Sequence, residues 1–231
     1  FDYILLVLIA ASLAGTGLAT DNTVVIVASM LVSPIMGPIM AFTFGATMRN
    51  WKLVQMGLKN ELLSLLLCLF VGMVVGCVAH PFDVEDLWPT TEMESRGSWM
   101  GLMLGVAIAV PSGMGVALSI LGNNTSSLVG VAISASLLPP AVNCGMLLAF
   151  AALSSTYDDN VDHEYMIKCG FASFCLTLVN IGCIFVTSVI MFQVKEVAPL
   201  ENKSAFWVDL KRQKQKRRET RKRGKGKGGD E

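Results

Sequence analysis

Histidine is almost missing from this sequence. There are two in 231 residues, His80 and His163, and both sit at the edges of acidic loops. The interior therefore has no imidazole to serve as a general base or a metal ligand. Cysteine does not fill the gap. Cys68, Cys77, Cys144, Cys169, Cys175 and Cys183 all lie in or beside apolar runs. A disulfide framework or a zinc site would need paired ligands in polar segments at ligand spacing. The six read as small buried hydrophobes. No Walker, Rossmann or metal-ligand motif occurs, and no apolar run holds a pair of aspartates. Ser112, in Pro111-Ser112-Gly113, has no intramembrane histidine to activate it as a nucleophile. These absences argue against an enzyme, so no catalytic residue, metal site or cofactor is expected.

Charge is the second scarcity. Asp, Glu, Lys and Arg make up 16% of the chain, where an ordinary soluble domain has about a quarter. Hydrophobic residues make up 53%, and the mean hydropathy is +0.57. The net charge of zero hides an asymmetry: Asp2 and Asp21 are the only charges between Phe1 and Met48, yet twelve Lys or Arg fall between Lys203 and Lys227. The first apolar run has no basic segment before it and no small-residue cleavage site after it, unlike a signal peptide. The chain does not begin with Met, and a preceding soluble segment is expected.

What the sequence has in quantity is long apolar runs. Six of them, at 3–19, 23–47, 53–79, 99–121, 126–153 and 165–193, are near or above the roughly 20 residues a helix needs to cross a bilayer. The longest leave room for tilt, kinks or breaks. Strands of a membrane barrel would alternate in polarity, and these runs do not. The expected fold is all-α and polytopic, with about six transmembrane helices. Orientation follows from the loops. Arg49, Lys52 and Lys59 mark one side; Asp83, Glu85, Asp86, Glu92 and Glu94, then Asp158, Asp159, Asp162 and Glu164, mark the other. Basic loops stay cytoplasmic, so both termini are expected there.

An internal repeat is visible. Asn22-Thr23 and Asn124-Thr125 each precede an apolar run, and sixteen residues separate each Asn from a proline, Pro38 or Pro140. Two halves of three helices each must run in opposite directions, which is the inverted-repeat plan of many transporters. The chain is thus expected to hold a first three-helix repeat (1–80), an acidic extracytoplasmic loop (81–98), a second three-helix repeat (99–194) and a basic cytoplasmic tail without regular structure (195–231).

The middle helix of each half carries prolines, in Ser33-Pro34-Ile35-Met36-Gly37-Pro38 and in Ser136-Leu137-Leu138-Pro139-Pro140. Proline removes a backbone donor. The freed carbonyl must face protein or water, and broken helix ends offer partial charges to a solute. Ser33, Gly37, Ser136 and Asn143 flank these breaks and are candidate solute-facing residues; a packing kink is the plainer reading. Glu61 is either an ion-pathway carboxylate or an interfacial neighbour of Lys59. Asn180 is either an interhelical donor or a site residue. Gly101, Gly105, Ala109, Gly113 and Ala117 form a four-residue ladder that packs either inside the protomer or between protomers. The basic tail fits anionic lipid better than nucleic acid, and a solvated tail equally well.

Ala28-Ser29-Met30-Leu31-Val32-Ser33-Pro34-Ile35-Met36-Gly37-Pro38-Ile39 resembles the signature of domain-of-unknown-function family 389, a group of hydrophobic membrane proteins. So does Gly130-Val131-Ala132-Ile133-Ser134-Ala135-Ser136-Leu137-Leu138-Pro139-Pro140, and Asn180-Ile181-Gly182 is similar to the family's final-helix motif. The resemblance implies a soluble segment before the membrane part and leaves the activity open; the basic tail is outside the pattern. From the residues, the expected function is passage of a small solute or ion between two discontinuous helices, by a homo-oligomer. The pathway would use Ser33, Pro34, Gly37, Pro38, Glu61, Ser136, Pro139, Pro140, Asn143 and Asn180. The competing reading is a membrane scaffold or sensor serving the missing soluble segment.

Overall fold

The computed structural model describes residues 2–79, 89–122, 127–157 and 163–195, and every regular element among them is an α-helix. In chain order they are α1 (Asp2–Ala19), α2 (Thr23–Val32), α3 (Met36–Thr47), α4 (Trp51–Ala79), α5 (Thr91–Gly97), α6 (Trp99–Leu121), α7 (Ser127–Tyr157) and α8 (His163–Val194). Five of them, α1, α4, α6, α7 and α8, contain segments long and apolar enough to cross a membrane. α2 and α3 are each too short. Taken together they pass as one span, bent by 54° at the break between them. Most of the acidic loop residues, including Asp83, Glu85, Asp86, Asp158, Asp159 and Asp162, and nearly all of the basic tail lie outside the described residues.

The distribution of side chains suits lipid. Leu62, Leu66 and Phe70 of α4, and Phe171 and Val186 of α8, are more than half exposed, while Ser29, Thr43, Glu61, Asn143 and Asn180 are buried. A soluble fold would do the reverse.

Sharp turns join the first helices. Asp21 and Arg49 adopt left-handed φ values of 52° and 51°. After α1, Asn22 N–H donates to the Gly17 carbonyl and Asp21 N–H to that of Leu18; after α3, Asn50 N–H donates to Gly45 and Arg49 N–H to Ala46. Both are the paired closing bonds of a Schellman cap. Asn22 then starts α2, its side chain accepting from the Val24 and Val25 N–H groups.

Contacts at small residues fix the helix directions. Gly15 of α1 packs on Val75 of α4, and Tyr3 bonds Ser64, so these helices run parallel. Gly45 abuts Leu53 and Val54, whereas Gly57 abuts Pro38 and Phe42, so α3 and α4 run antiparallel. The α1–α2 turn therefore lies beside the end of α4, and the α3–α4 turn lies at its beginning. The bent pair joins opposite ends of the bundle. Along α4 and α7 the backbones touch: Gly72 meets the Val142 carbonyl and Gly145, and Gly76 meets Met146. These two are parallel as well.

The ladder on α6 packs inside the chain. Gly105, Ala109, Gly113 and Ala117 are buried. Gly105 lies against Leu176 and Asn180, and Gly113 against Ile184 and Thr187. Ser188 donates to the Gly113 carbonyl at 2.7 Å. This makes α6 and α8 parallel neighbours and uses the small face within one protomer.

Helix α5 lies within the segment expected as a loop. Thr90 caps it by accepting from Met93 N–H, and an Arg96–Glu92 ion pair spans one turn. Thr90 also donates to the Leu18 carbonyl. Asp21 accepts from Thr91 Oγ1 and from the Glu92 N–H. The short helix is thereby pinned on the α1–α2 turn.

Candidate functional site

Each middle segment must account for the carbonyls its prolines leave without helical donors. In the first half, Pro34 has no N–H for the Met30 carbonyl four residues back. The helix stops there. Ser33 N–H donates to Ser29 and closes α2, Ile35 N–H reaches back to Ser33 Oγ at 3.5 Å, and Gly37 N–H bonds the Pro34 carbonyl to begin α3.

The second half was expected to break in the same way, and it does not. α7 is one helix from Ser127 to Tyr157, with Pro139 and Pro140 inside it. The reason is on α8. Pro140 deprives the Ser136 carbonyl of its donor, and the Asn180 amide supplies one at 2.8 Å. Two turns further along α7, Asn143 donates to Ser173 Oγ at 2.9 Å and to the Met93 carbonyl at 3.1 Å. Ser136 with Asn180, and Asn143 with Ser173, are thus two polar rungs between antiparallel helices, and the outer rung also holds α5.

Beside the inner rung is a cavity of about 150 Å³, lined among others by Arg96, Gly105, Ser136, Pro140 and Asn180. Arg96 gives it a cationic element, partly offset by its bond to Glu92. The Asn180 side-chain oxygen has no hydrogen-bond partner although the residue is buried, so a ligand N–H or O–H, or a cation, would find an acceptor there.

Across the bundle, Glu61 is 4% exposed, and neither of its carboxylate oxygens has a hydrogen-bond partner. Its neighbour Lys59 is exposed and does not reach its carboxylate oxygens, so burial describes Glu61 better than an interfacial pairing. Ser134 Oγ and the Asn143 side-chain oxygen are likewise buried without partners.

The expected pathway residues are therefore divided. Ser136, Pro140 and Asn180 line one cavity. Pro139 and Asn143 are buried on the same helix as this group. Ser33 and Pro34 are half-buried at the first break, and the Pro38 carbonyl lies against Gly57. Gly37 is exposed, with open space where a Cβ would project. Neither Ser33, Pro34, Gly37 nor Pro38 lines the cavity beside Asn180. Sequence reasoning passed over Arg96, Ser134 and Ser173. Arg96 is the lone base in a run of acids, and Ser173 falls one heptad before Asn180; both are signals that could have been used.

A family model described as Domain of unknown function (DUF389) matches residues 30–186. An uncharacterized protein of Methanocaldococcus jannaschii is 23% identical over 201 residues, covering 86% of this chain and 55% of that protein. The chain thus spans about half the length of the curated relative it matches. No solved structure matches it.

Proposed function

The chain belongs to the DUF389 family, and from that premise we propose that it is a multi-pass membrane transporter or channel for a small solute or ion. The observation that carries this reading is the break at residues 33–35, inside a segment that joins opposite ends of the bundle. A backbone interruption at membrane depth is tolerated where it faces protein or a water-filled path. Counting the bent pair as one crossing gives six. With the basic Arg49 turn cytoplasmic, both termini and the basic tail belong to that side, where the tail would meet anionic lipid.

Parallel packing of the first and third long helices within each half, α1 with α4 and α6 with α8, supports an inverted-repeat plan. The small cavity beside Asn180 is the proposed solute contact in the second half. We further propose that the protein is not an enzyme, uses no cofactor or nucleic acid, and works as a homo-oligomer, although the α6 ladder is already used within the protomer. The scaffold reading draws on the continuity of α7, which leaves one rather than two broken helices.

Reconstitution separates the two. Liposomes holding the full chain should pass small ions or uncharged solutes faster than empty vesicles, and Asn180→Leu should slow them. Vesicles as tight as protein-free ones would favour the scaffold.

A further inference from the structure

Among the described residues Glu61 is the one carboxylate buried among the membrane helices, and three contacts of nearby glycines set its level. Gly57 of α4 packs on Pro38 and Phe42 of α3. Continuing that antiparallel register by one turn brings Glu61 level with the start of α3, at the break. Gly72 of α4 packs on Gly145 of α7. Glu61 lies three turns before Gly72, and Ser134 lies three turns before Gly145. Three turns of α-helix take 10.8 residues, so each residue keeps the facing direction of its glycine. Finally, Gly130 of α7 stands against the Met36 side chain, one turn before Ser134, which ties that part of α7 to the same break. By this register Glu61, Ser134 and the interrupted backbone at residues 33–35 share one level, where α3, α4 and α7 pack together.

The chemistry there is one-sided. Both Glu61 oxygens and Ser134 Oγ are buried without hydrogen-bond partners. The nearby Met30 carbonyl loses its helical donor to Pro34. No lysine, arginine or histidine occurs on α1, α2, α3 or α7. The groups that bear on Glu61 are Tyr3 of α1, whose hydroxyl is engaged with Ser64, and Cys68 two turns along α4. Asp2 and Lys59 are exposed. A carboxylate cannot stay charged and unpaired in such a place. Carboxylate, hydroxyl and carbonyl oxygens together form the donor set of a hard cation.

We propose that Glu61, Ser134 and the α2–α3 break form a binding site for one monovalent cation, a proton or a sodium ion, that neutralises Glu61. This deepens the transport reading and rests on it for its purpose: the cation is the one whose binding would be coupled to solute movement. Binding of sodium forms oxygen–ion contacts and breaks no covalent bond; binding of a proton from water forms one O–H bond on Glu61.

Infrared difference spectra of the full chain in lipid nanodiscs test it. Sodium chloride is exchanged for choline chloride at fixed pH, and pH is then varied in choline. A protonated-carboxyl band that sodium removes, and that Glu61→Gln lacks, assigns both ions to one site. A Glu61-dependent band that responds to pH and ignores sodium makes the proton the cation. If sodium is the ion, Ser134→Ala removes one oxygen ligand and should weaken sodium binding about tenfold. Should Glu61→Gln fail to fold, Glu61→Asp must shift the same band. No carboxyl signal that answers to either ion overturns the proposal. Liposome flux is a separate measurement. A cation-sensitive Glu61 in vesicles that pass nothing keeps the site and removes transport, whereas flux with an ion-blind Glu61 does the opposite.

Discussion

The Asn180 amide on α8 donates to the main-chain carbonyl of Ser136 on α7, the carbonyl that Pro140 leaves without a helical donor. One side chain thereby holds a proline-containing helix straight enough to remain a single element. In the first half no side chain among the described residues bridges the break in this way, and there the helix divides into α2 and α3.

That relationship predicts strong coupling between residues 140 and 180. Asn180→Leu alone leaves a buried carbonyl unsatisfied and should cost about 1–2 kcal/mol. Pro140→Ala restores a backbone N–H to the same carbonyl. In that background Asn180→Leu should cost much less. A double-mutant cycle on thermal or denaturant stability in detergent measures the difference; additive effects would mean that Asn180 acts elsewhere.

Backbone contact between α4 and α7 gives a second expectation. A Cβ at Gly72 would collide with the Val142 carbonyl and crowd Gly145. Gly72→Val should therefore lose about 1–3 kcal/mol through forced separation of the helices. Gly37→Ala is the control, because nothing lies within 4 Å of its missing Cβ. It should be neutral or slightly stabilising, as alanine is in a helix. Melting temperatures of the purified variants compare the two.

Sidedness of the bent pair can be read directly. Cysteines replacing Asp21 and Arg49, in a background without the six native cysteines, should react with an impermeant reagent from opposite faces of the membrane, with Arg49→Cys on the cytoplasmic face. Labelling of both from one face would make α2 and α3 a re-entrant loop.

Acid should loosen α5. Hydrogen bonds from Thr91 and from the Glu92 backbone hold the Asp21 carboxyl below its ordinary value of 3.8. A lowered folded-state value means that the ionised form stabilises the fold. The contribution is complete above about pH 4 and disappears as pH falls through the lowered value. The melting-temperature gap between the native chain and Asp21→Ala should be level at neutral pH and close in acid. A gap that widened in acid would contradict the sign.

Much of the helical layout was legible because each long helix is a long apolar run, and such runs have few alternatives in lipid. The break at Pro34 was legible for the same local reason. The continuity of α7 was not. It depends on Asn180, forty residues away, and a proline's effect is decided by whichever donor tertiary packing brings to the freed carbonyl. Asn180 and Pro140 were each visible as notable residues, but nothing local linked them. Helix α5 was hidden by its acidic composition, since its order comes from Thr90 and Asp21 rather than from an apolar face. The division of the pathway residues was equally hidden: sequence spacing sets depth along a helix, whereas the facing direction of Gly37 is fixed by neighbours it does not touch.

Where Gly72 meets Gly145, the main chains of two helices lie directly against each other. That close approach lies three turns along α4 from Glu61, and three turns along α7 from Ser134. A small change in the angle between α4 and α7 there would alter the spacing between Glu61 and Ser134, so helix tilt and occupancy of the carboxylate would be linked.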